Sequence, residues 1–338
     1  MNILMISPDA PPYKGGVSRL VGLLKDGLEH LGHQVTLLHP KFKIKEFKFS
    51  IIPFRHYSNS YDLIHLHGPT PFLSDLTLLI HCKRPIVYTH HAEVCWISGR
   101  ISKTYTQFHR FLAKKAQAII VHSDDYKRLF NGTNVTVIQT PCFFKCPEKS
   151  NLEQKPDLFT VLFVGQFRPF KGVDVLLKAA SMLPKVRFTL VGDGYLKPKF
   201  IRDTEDSENV KFLGKVSDDV LVELYKQAHV ICLPSVNTTE AYGLVLIEGA
   251  LHGCVPVASN LIGVRENVSR LQGCLFKPKS YRSLARKIRM LSSKKESWLS
   301  VANKSRKAAH DYVSTYPTEY YVKKHEEIFA GVCSQERT

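Results

Sequence analysis

Long apolar runs are missing from this sequence, and so is the leader segment that a secreted protein would carry. No run approaches the roughly 20 apolar residues that a membrane-spanning helix needs. The apolar stretch at residues 1–7 is followed by Asp9 and two prolines, too early for the core of a signal peptide. We therefore expect a cytoplasmic protein.

Paired cysteines are also missing. The eight cysteines are scattered singly, and none forms a Cys-x-x-Cys pair. Cys142 and Cys146 are four residues apart, but no second pair accompanies them, so the spacing does not predict a zinc site. No Asp-x-Asp run follows a predicted strand, and we expect no metal. Cysteines in apolar runs, such as Cys232, indicate buried free thiols in a reducing compartment.

Acidic residues are few compared with basic ones, 30 against 47, which gives a formal net charge of +17. A basic surface, an anionic membrane, nucleic acid and a phosphorylated substrate are all compatible with this excess. The charge is dispersed, and no nucleic-acid-binding module or aromatic-basic stacking face is visible. We therefore expect no nucleic-acid partner, and a nucleic-acid-binding protein is the weaker alternative.

What the sequence does contain is a repeated alternation of short apolar runs and amphipathic segments. The first helical pattern runs from Val17 to Leu31 and is closed by Gly32. Strands are predicted at residues 3–6, 35–38, 63–66, 86–89, 118–122 and 135–138, and again at 160–164, 188–191, 210–213, 230–233 and 255–258. Continuous apolar strands between helices indicate α/β domains with parallel sheets buried on both faces.

A polar stretch bounded by prolines, residues 147–156, interrupts this alternation and predicts an interdomain linker. We predict two Rossmann-like domains, residues 1–147 and 157–316, with a last helix after Pro317. In doubly wound sheets, ligands bind outside the carboxyl ends of the strands. The residues that carry chemistry should therefore follow strands.

Two glutamates eight positions apart, Glu240 and Glu248, surround a predicted helix start after the strand at 230–233. If the helix begins near Gly243, the backbone N–H groups of residues 243–245 are free to bind a phosphate. Glu240 would then accept hydrogen bonds from sugar hydroxyls, and Glu248 from the two hydroxyls of a ribose. An ordinary amphipathic helix with two solvated glutamates is the alternative.

These residues carry a family resemblance. Glu240-x-Tyr-Gly-x4-Glu248 resembles the EX7E motif of retaining GT-B glycosyltransferases of the GT4 type, also called group 1. Residues 165–172, Gly-Gln-Phe-Arg-Pro-Phe-Lys-Gly, resemble the family's G-R-L-x-x-x-K-G loop, and Lys171 matches the lysine that neutralises the diphosphate. Gln166 stands where the family has arginine, and Arg168 is the candidate to supply the guanidinium.

In the first domain, residues 88–93, Tyr-Thr-His-His-Ala-Glu, resemble the family's T-x-H-x-D segment. His91 aligns with the histidine beside the transferred sugar, and His90 and Glu93 are its expected neighbours. His65, in a segment that resembles D-v-v-H-x-H, is expected only to pack. In the family, the loop at Gly15-Gly16 meets the sugar diphosphate and the acceptor.

The resemblance implies a GT-B fold with two Rossmann-like domains facing a central cleft, the first binding the acceptor and the second the nucleotide sugar. It implies transfer from a UDP-sugar or GDP-sugar, with retention and without a cofactor, to a sugar, lipid-linked or glycan acceptor, and a helix at 317–338 that packs back on the first domain. The implied catalytic residues are His91, Glu240 and Lys171. The implied donor-binding residues are Gly15, Gly16, Arg168, Lys171, Gly192, Lys215, Val216, Gly243, Leu244, Val245 and Glu248. A sugar-nucleotide epimerase or hydrolase with the same fold is the alternative.

Two stretches that combine basic and aromatic residues favour peripheral contact with the cytoplasmic face of an anionic membrane. Residues 41–49 alternate like a strand or an edge hairpin. In the second stretch, a predicted helix has one apolar face with basic residues around it. That face comprises Ile101, Tyr105, Phe108, Phe111 and Leu112, and the basic residues are Lys103, Arg110, Lys114 and Lys115. A surface helix that packs its apolar face inward is the alternative.

Overall fold

The computed structural model describes residues 1–12, 15–39, 42–44, 47–49, 60–79, 84–94, 99–132, 134–144, 146–147 and 152–335. The chain divides into two compact units. Unit 1 comprises Met1–Pro141 and Tyr316–Thr338, and unit 2 comprises Cys142–Thr315. The division falls shortly before the predicted linker, and Leu152, inside that linker, is buried in the core of unit 2.

Unit 1 contains a six-stranded parallel sheet in the order β2-β1-β5-β6-β7-β8, with a separate antiparallel hairpin, β3-β4. The strands are β1 (Asn2–Ile6), β2 (Gln34–Leu38), β3 (Phe42–Ile44), β4 (Phe47–Phe49), β5 (Leu63–Gly68), β6 (Ile86–His90), β7 (Ala118–Val121) and β8 (Val135–Val137). β1, β5, β6 and β7 are buried almost throughout, as expected for a parallel sheet between helices.

The helices of unit 1 are α1 (Gly16–His30), α2 (Leu73–Leu79), α3 (Gly99–Ala113), α4 (Asp124–Phe130) and, from the end of the chain, α12 (Thr318–Gln335). α12 packs on α1, where a Cβ on Gly27 would lie 2.4 Å from the Val322 side chain. The two helices can therefore approach closely only because residue 27 is glycine. His33 and Glu326 add a contact of 2.9 Å between Nε2 and Oε1.

Unit 2 contains a second six-stranded parallel sheet, in the order β11-β10-β9-β12-β13-β14. Its strands are β9 (Thr160–Val164), β10 (Arg187–Val191), β11 (Val210–Gly214), β12 (Val230–Leu233), β13 (Val255–Ser259) and β14 (Cys274–Phe276). The sequence patterns predict all of these except the short, half-buried β14. The two sheets confirm the predicted α/β class with two doubly wound domains.

The helices of unit 2 are α5 (Val173–Ala180), α6 (Lys197–Arg202), α7 (Asp218–Gln227), α8 (Leu244–Leu251), α9 (Val264–Arg270), α10 (Tyr281–Ser292) and α11 (Lys295–Thr315). α10 and α11 are two separate helices, since the chain leaves the helical conformation between Ser292 and Lys295. In the described part of the chain, no helix is both long enough and apolar enough to cross a bilayer.

The strand order sets the position of the candidate site. In unit 2 the order reverses between β9 and β12, and in unit 1 between β1 and β5. At such a switch point the loops after two neighbouring strands diverge and leave a crevice at their carboxyl ends. The loops after β9 and β12 carry Lys171 and Glu240, and the loop after β1 carries Gly15 and Gly16.

Candidate active site

Three loops meet at the carboxyl end of the unit 2 sheet, and glycines let them approach closely. They follow β9, β10 and β12. Gly172 has φ 64°, and a Cβ there would lie 2.0 Å from the carbonyl oxygen of Pro234; a Cβ on Gly192, with φ 132°, would lie 1.9 Å from the carbonyl oxygen of Gly165. Any side chain at either position would push the loops apart.

Lys171 and Glu240 are in direct contact at this meeting point. Lys171 Nζ lies 2.6 Å from Glu240 Oε2, and the Ser235 hydroxyl donates to the same oxygen at 2.8 Å. The side chains of Lys171 and Glu240 are only 16% and 10% exposed. Oε1 of Glu240 makes no hydrogen bond to a residue that the structure describes. The sequence-predicted cation and loop carboxylate therefore form one cluster, although 69 positions separate them.

The helix after this loop starts as predicted. α8 begins at Leu244, and Gly243 is its N-cap residue, in the left-handed conformation with φ 74°. Leu244 and Val245 form the half-exposed first turn, where backbone N–H groups have no partner inside the helix. The preceding loop is held by Asn267, whose side-chain N–H donates to the Tyr242 carbonyl at 2.7 Å.

Glu248 lies one turn inside α8 and is buried, with 5% exposure. The Tyr225 hydroxyl, from α7, donates to Glu248 Oε2 at 2.9 Å. The Tyr225 ring stacks on His252. Tyr225 therefore fixes the orientation of the carboxylate for which the resemblance implies ribose binding.

Arg168 and Lys215 are exposed at the edge of the same loops. Arg168 precedes a short 3-10 turn, Pro169–Lys171, and its side chain makes no hydrogen bond or ion pair with any described residue. Gln166 is also exposed, two positions earlier, while Phe167 between them is fully buried. Lys215 Nζ lies 3.6 Å from Asp193 Oδ2, and the half-buried Val216 follows it.

In unit 1, His91 directly follows β6. Its backbone N–H donates to the Gly68 carbonyl at 2.8 Å and so prolongs the pairing of β5 with β6. Its Nε2 lies 2.9 Å from Nδ1 of His67, and the two rings stack with centroids 5.1 Å apart. The side chain is 6% exposed. Burial, followed by the neighbouring histidines, lowers the pKa of His91 well below its ordinary value, so the imidazole is neutral.

His91 belongs to a buried histidine cluster, which comprises His65, His67, His91, His122 and His325. As predicted, His65 packs in the interior, where Thr89 shares a hydrogen bond of 2.8 Å with it. Burial is the main cause that lowers every pKa in the cluster, to about 4 for His122 and about 3 for His325. Among the described residues, no group of three or more His, Cys, Asp or Glu is arranged to hold a metal ion.

Gly15 and Gly16 stand at the start of α1, after β1. Gly15 is the N-cap residue with φ −158°, an extended conformation that any residue adopts. A Cβ on either glycine would meet nothing within 4 Å. Neither the backbone nor the packing of the described chain requires glycine here, which is compatible with the close approach of a ligand.

Sequence reasoning did not assign Ser235, Tyr225 and His67 to the site. The stretch Leu233-Pro234-Ser235 fits the family resemblance, with a simple strand end as the alternative, and Tyr225 is an apolar position of a predicted helix. Tyr225 and His67 act through partners 23 and 24 positions away in the chain, whereas Ser235 acts through Glu240, five positions away. The local pattern of hydrophobic residues contains no information on these partners. The position of Ser235 directly after a strand is the one local signal.

Two protein-family models match the chain. The model described as Glycosyl transferases group 1 matches residues 147–308, and the model described as Glycosyltransferase Family 4 matches residues 47–141. The first match lies entirely within unit 2 and the second entirely within unit 1. Both models describe sugar transfer, which is against the epimerase, hydrolase and nucleic-acid-binding alternatives.

Comparison with individual proteins also finds glycosyltransferases. The O-antigen chain mannosyltransferase C of Escherichia coli is 29% identical over 287 residues, which cover 78% of this chain and 75% of that protein. Among solved structures, sucrose-phosphate synthase from Thermosynechococcus elongatus has a TM-score of 0.76 at 18% identity, with 99% of both chains covered. The Anabaena protein HepE in complex with UDP has a TM-score of 0.71 at 18% identity, with 98% of this chain and 100% of that chain covered. These two structures show a shared fold.

Proposed function

The chain belongs to the group 1 glycosyltransferases of family 4, and from that premise we propose that it transfers a sugar from a nucleotide-sugar donor to a glycan or lipid-linked acceptor with retention of anomeric configuration. The observation that carries the proposal is the cluster of Lys171, Glu240 and Ser235 beside the start of α8. The cation of Lys171, the carboxylate of Glu240 and the backbone N–H groups of the first turn of α8 come together here. They lie at the point where the strand order reverses, between β9 and β12.

Each part of this cluster matches one part of the donor. Lys171 and the first turn of α8 would neutralise the diphosphate as it becomes the leaving group, because a positive charge and aligned N–H groups both stabilise developing negative charge. Glu240 would bind hydroxyls of the sugar, and Glu248 the hydroxyls of the ribose. Gly192, Lys215 and Val216, from two neighbouring loops, are proposed to contact the nucleotide through the backbone.

For retention we propose that the acceptor attacks from the face that the diphosphate leaves. The bond between the anomeric carbon and the phosphate oxygen breaks, the bond to the acceptor oxygen forms, and the acceptor's proton goes to the departing phosphate oxygen. Such a step needs charge stabilisation on the leaving group more than a base, and Lys171 supplies that charge. For His91 we propose the role that the resemblance gives it, a contact with the transferred sugar.

The base of the donor and the acceptor are proposed only as classes. HepE is described in complex with UDP, and the Escherichia coli relative is named as a mannosyltransferase of an O-antigen chain. A UDP-sugar or GDP-sugar as donor and a cell-surface glycan precursor or glycolipid as acceptor agree with both descriptions.

A thermal-shift screen against UDP, GDP and their sugars tests the donor. A ligand at 100 times its Kd adds about 2.7 kcal/mol to the apparent stability of a folded protein that alone binds it. We expect one base to raise Tm, and the variant Glu240→Gln to reduce the additional effect of the sugar. NMR of the product formed from that donor then shows the anomeric configuration. An inverted product would refute retention, and no stabilisation by any nucleotide would refute the donor class.

We also propose an anionic membrane surface as a partner of unit 1. Large hydrophobic side chains are exposed on two neighbouring helices, α2 and α3, and on the residue before α2. They are Phe72 (54%), Leu76 (47%), Leu79 (48%), Ile101 (61%), Phe108 (49%) and Phe111 (67%). Lys103, Lys114 and Lys115 are exposed on or just after α3. An apolar surface with lysines beside it is complementary to anionic lipid.

This surface corrects the sequence-based picture of α3. Leu112 is 2% exposed and Tyr105 bonds to Asp75, so the five apolar residues predicted to share one face do not share it. The alternative, in which the apolar face packs inward, is also wrong, because Ile101, Phe108 and Phe111 are turned to solvent. The side chains of the other predicted basic stretch, residues 41–49, lie outside the described part of the chain.

Vesicle sedimentation tests the membrane contact. We expect the protein to sediment with anionic vesicles at low salt and to stay in solution with zwitterionic vesicles, because lysines provide part of the attraction. Phe108→Ser with Phe111→Ser should abolish sedimentation, whereas Ile201→Ser with Met290→Ser, two exposed positions of unit 2, should not. Equal sedimentation of both variants, or none by the wild type, would contradict the proposal.

A further inference from the structure

The inner face of α3 contacts the segment that carries His91 at more than one point. Ser102 and His109 are buried, whereas Ile101 and Phe108, one position earlier in each case, are exposed. The Ser102 hydroxyl donates to the Val94 carbonyl. α3 therefore connects the solvent-exposed surface of unit 1 with the chain that leaves β6.

The strongest of these contacts is an ion pair between Arg110 and Glu93. Arg110 Nη2 lies 2.7 Å from Glu93 Oε1, and the same oxygen lies 3.7 Å from His90 Nε2. Glu93 is 7% exposed. Burial acts to raise the pKa of Glu93, but His90 and Arg110 outweigh it and lower the pKa to about 2. Glu93 is therefore a buried carboxylate that depends on its partners.

A second connection runs through Tyr88, inside β6. The Asp75 carboxylate, from α2, can only accept, so it fixes a proton on His109 Nδ1 across 2.6 Å. His109 Nε2 shares a hydrogen bond of 2.7 Å with the Tyr88 hydroxyl, and the Tyr88 oxygen lies 3.2 Å from His90 Nδ1. His109 is 1% exposed. This chain of hydrogen bonds orients His90 from the side of α3.

Alternation along β6 puts His91 on the other face of the sheet. Side chains of successive strand residues point to opposite faces. Tyr88 and His90 thus point towards α3, while Thr89 and His91 point towards His65 and His67. α3 cannot contact His91 itself, but it holds the residues on both sides of it.

We propose that Arg110 is a positioning residue, which sets the place of His91 through Glu93, with His109 and Tyr88 as a second anchor. The inference rests on the proposed role of His91 in sugar transfer. Glu93 is two positions after His91, so its ion pair with Arg110 ties the segment after His91 to α3. Without it, the hydrogen bonds that hold the backbone of residues 91–94 to other described residues are the bond from His91 to Gly68 and the bond from Ser102 to Val94.

Hydrogen exchange on the full chain and donor kinetics test the proposal together. Arg110→Gln alone leaves the Glu93 carboxylate buried without its cation and can prevent folding, so Arg110→Gln is combined with Glu93→Gln. In the double variant we expect amide exchange at residues 91–94 to be faster by about tenfold or more. We expect kcat to fall by about 10- to 100-fold, since small misplacements cost that much. The donor KM should change less than kcat, because most of the proposed donor contacts, on α8 and its loops, lie in unit 2.

Two controls separate positioning from general loss of structure. Arg110→Lys, with Glu93 unchanged, keeps the positive charge beside the carboxylate. This variant should therefore retain most of the wild-type kcat. Arg128→Gln removes an exposed arginine that pairs with the buried Asp125 on α4, and it should change neither exchange at residues 91–94 nor kcat. A folded double variant with wild-type exchange at 91–94 and wild-type kcat would overturn the proposal. Absence of sugar transfer or donor hydrolysis by the wild type would instead refute the proposed function, and the exchange data would still decide the positioning.

Discussion

At the scale of single residues, the candidate site of unit 2 is organised around one oxygen atom. Glu240 Oε2 accepts from both Lys171 and Ser235, within 2.6 and 2.8 Å. A carboxylate with two donors on one oxygen is held in a fixed orientation and keeps its other oxygen for a ligand. Lys171 orients Glu240 in this arrangement, and we propose that it also meets the diphosphate.

Lys171→Ala should therefore impair catalysis more than donor binding. We expect kcat to fall by about 100- to 1,000-fold, the usual cost of removing a group that stabilises charge in the transition state. Lys178→Ala, at an exposed position of α5, is the matched control and should be silent. Steady-state release of the nucleoside diphosphate measures both, and equal rates for the two variants would exclude the role of Lys171.

Gln166 stands where the family has an arginine. Substitution of Arg168 tests whether its guanidinium, two positions later, replaces that arginine in binding the donor. We expect Arg168→Ala to lower kcat/KM for the donor by about 10- to 100-fold, the value of a hydrogen bond to a charged group. Arg187 lies at the amino end of β10, away from the loops at the carboxyl ends of the strands. Arg187→Ala should therefore leave kcat/KM unchanged. Unchanged kinetics of Arg168→Ala would show that this arginine does not contact the donor.

At the scale of elements, the start of α8 joins the fold to the site. Gly243 is in the left-handed conformation, and a Cβ there would lie 2.8 Å from Leu233 Cδ2, in β12. The glycine lets the chain turn from the strand-end loop into the helix while its N–H groups stay exposed. The same loop is held from outside by Asn267 of α9.

Substitution of alanine for glycine should have opposite effects at two positions. Gly243→Ala should destabilise by about 1–2 kcal/mol or more, because a Cβ is strained at positive φ and meets Leu233. Gly331→Ala, inside α12 with nothing within 4 Å of the new Cβ, should stabilise by about 0.5–1 kcal/mol. Urea unfolding measures both. The same sign for both substitutions would contradict this description of the α8 start.

At the scale of the whole molecule, both units bury histidines in neutral form. Burial is the main cause that lowers the pKa values of His65, His67, His90, His91, His122, His229, His252 and His325. The unfolded chain binds protons at these residues near pH 6.5, whereas the folded chain does so only at lower pH. Their stabilising contribution is therefore fully present above about pH 6.5 and is lost as the pH falls.

The free energy of unfolding should consequently decrease between about pH 7.5 and pH 5.5, by up to about 1.4 kcal/mol per pH unit for each such histidine below pH 6.5. His325→Phe should make the decrease shallower, since it removes one buried imidazole whose pKa is about 3. His30→Gln, at an exposed position of α1, should leave the slope unchanged. Urea titrations at several pH values measure how the free energy of unfolding changes with pH. If His325→Phe does not alter that slope, this histidine does not contribute to the pH dependence.

The amino-acid sequence by itself determined the alternation of strands and helices and the strand-end positions of His91, Lys171 and Glu240. These depend on periodicity and on glycine and proline signals, which act over a few neighbouring residues. Only the tertiary structure decided that Lys171 contacts Glu240 and that Arg110 contacts Glu93. It also decided which face of α3 is exposed, because packing against β6 and α2 chooses the buried side of a helix that has apolar residues on more than one face. Partners separated by tens of residues are selected by how the sheets and helices pack, and a local pattern contains no information on that choice.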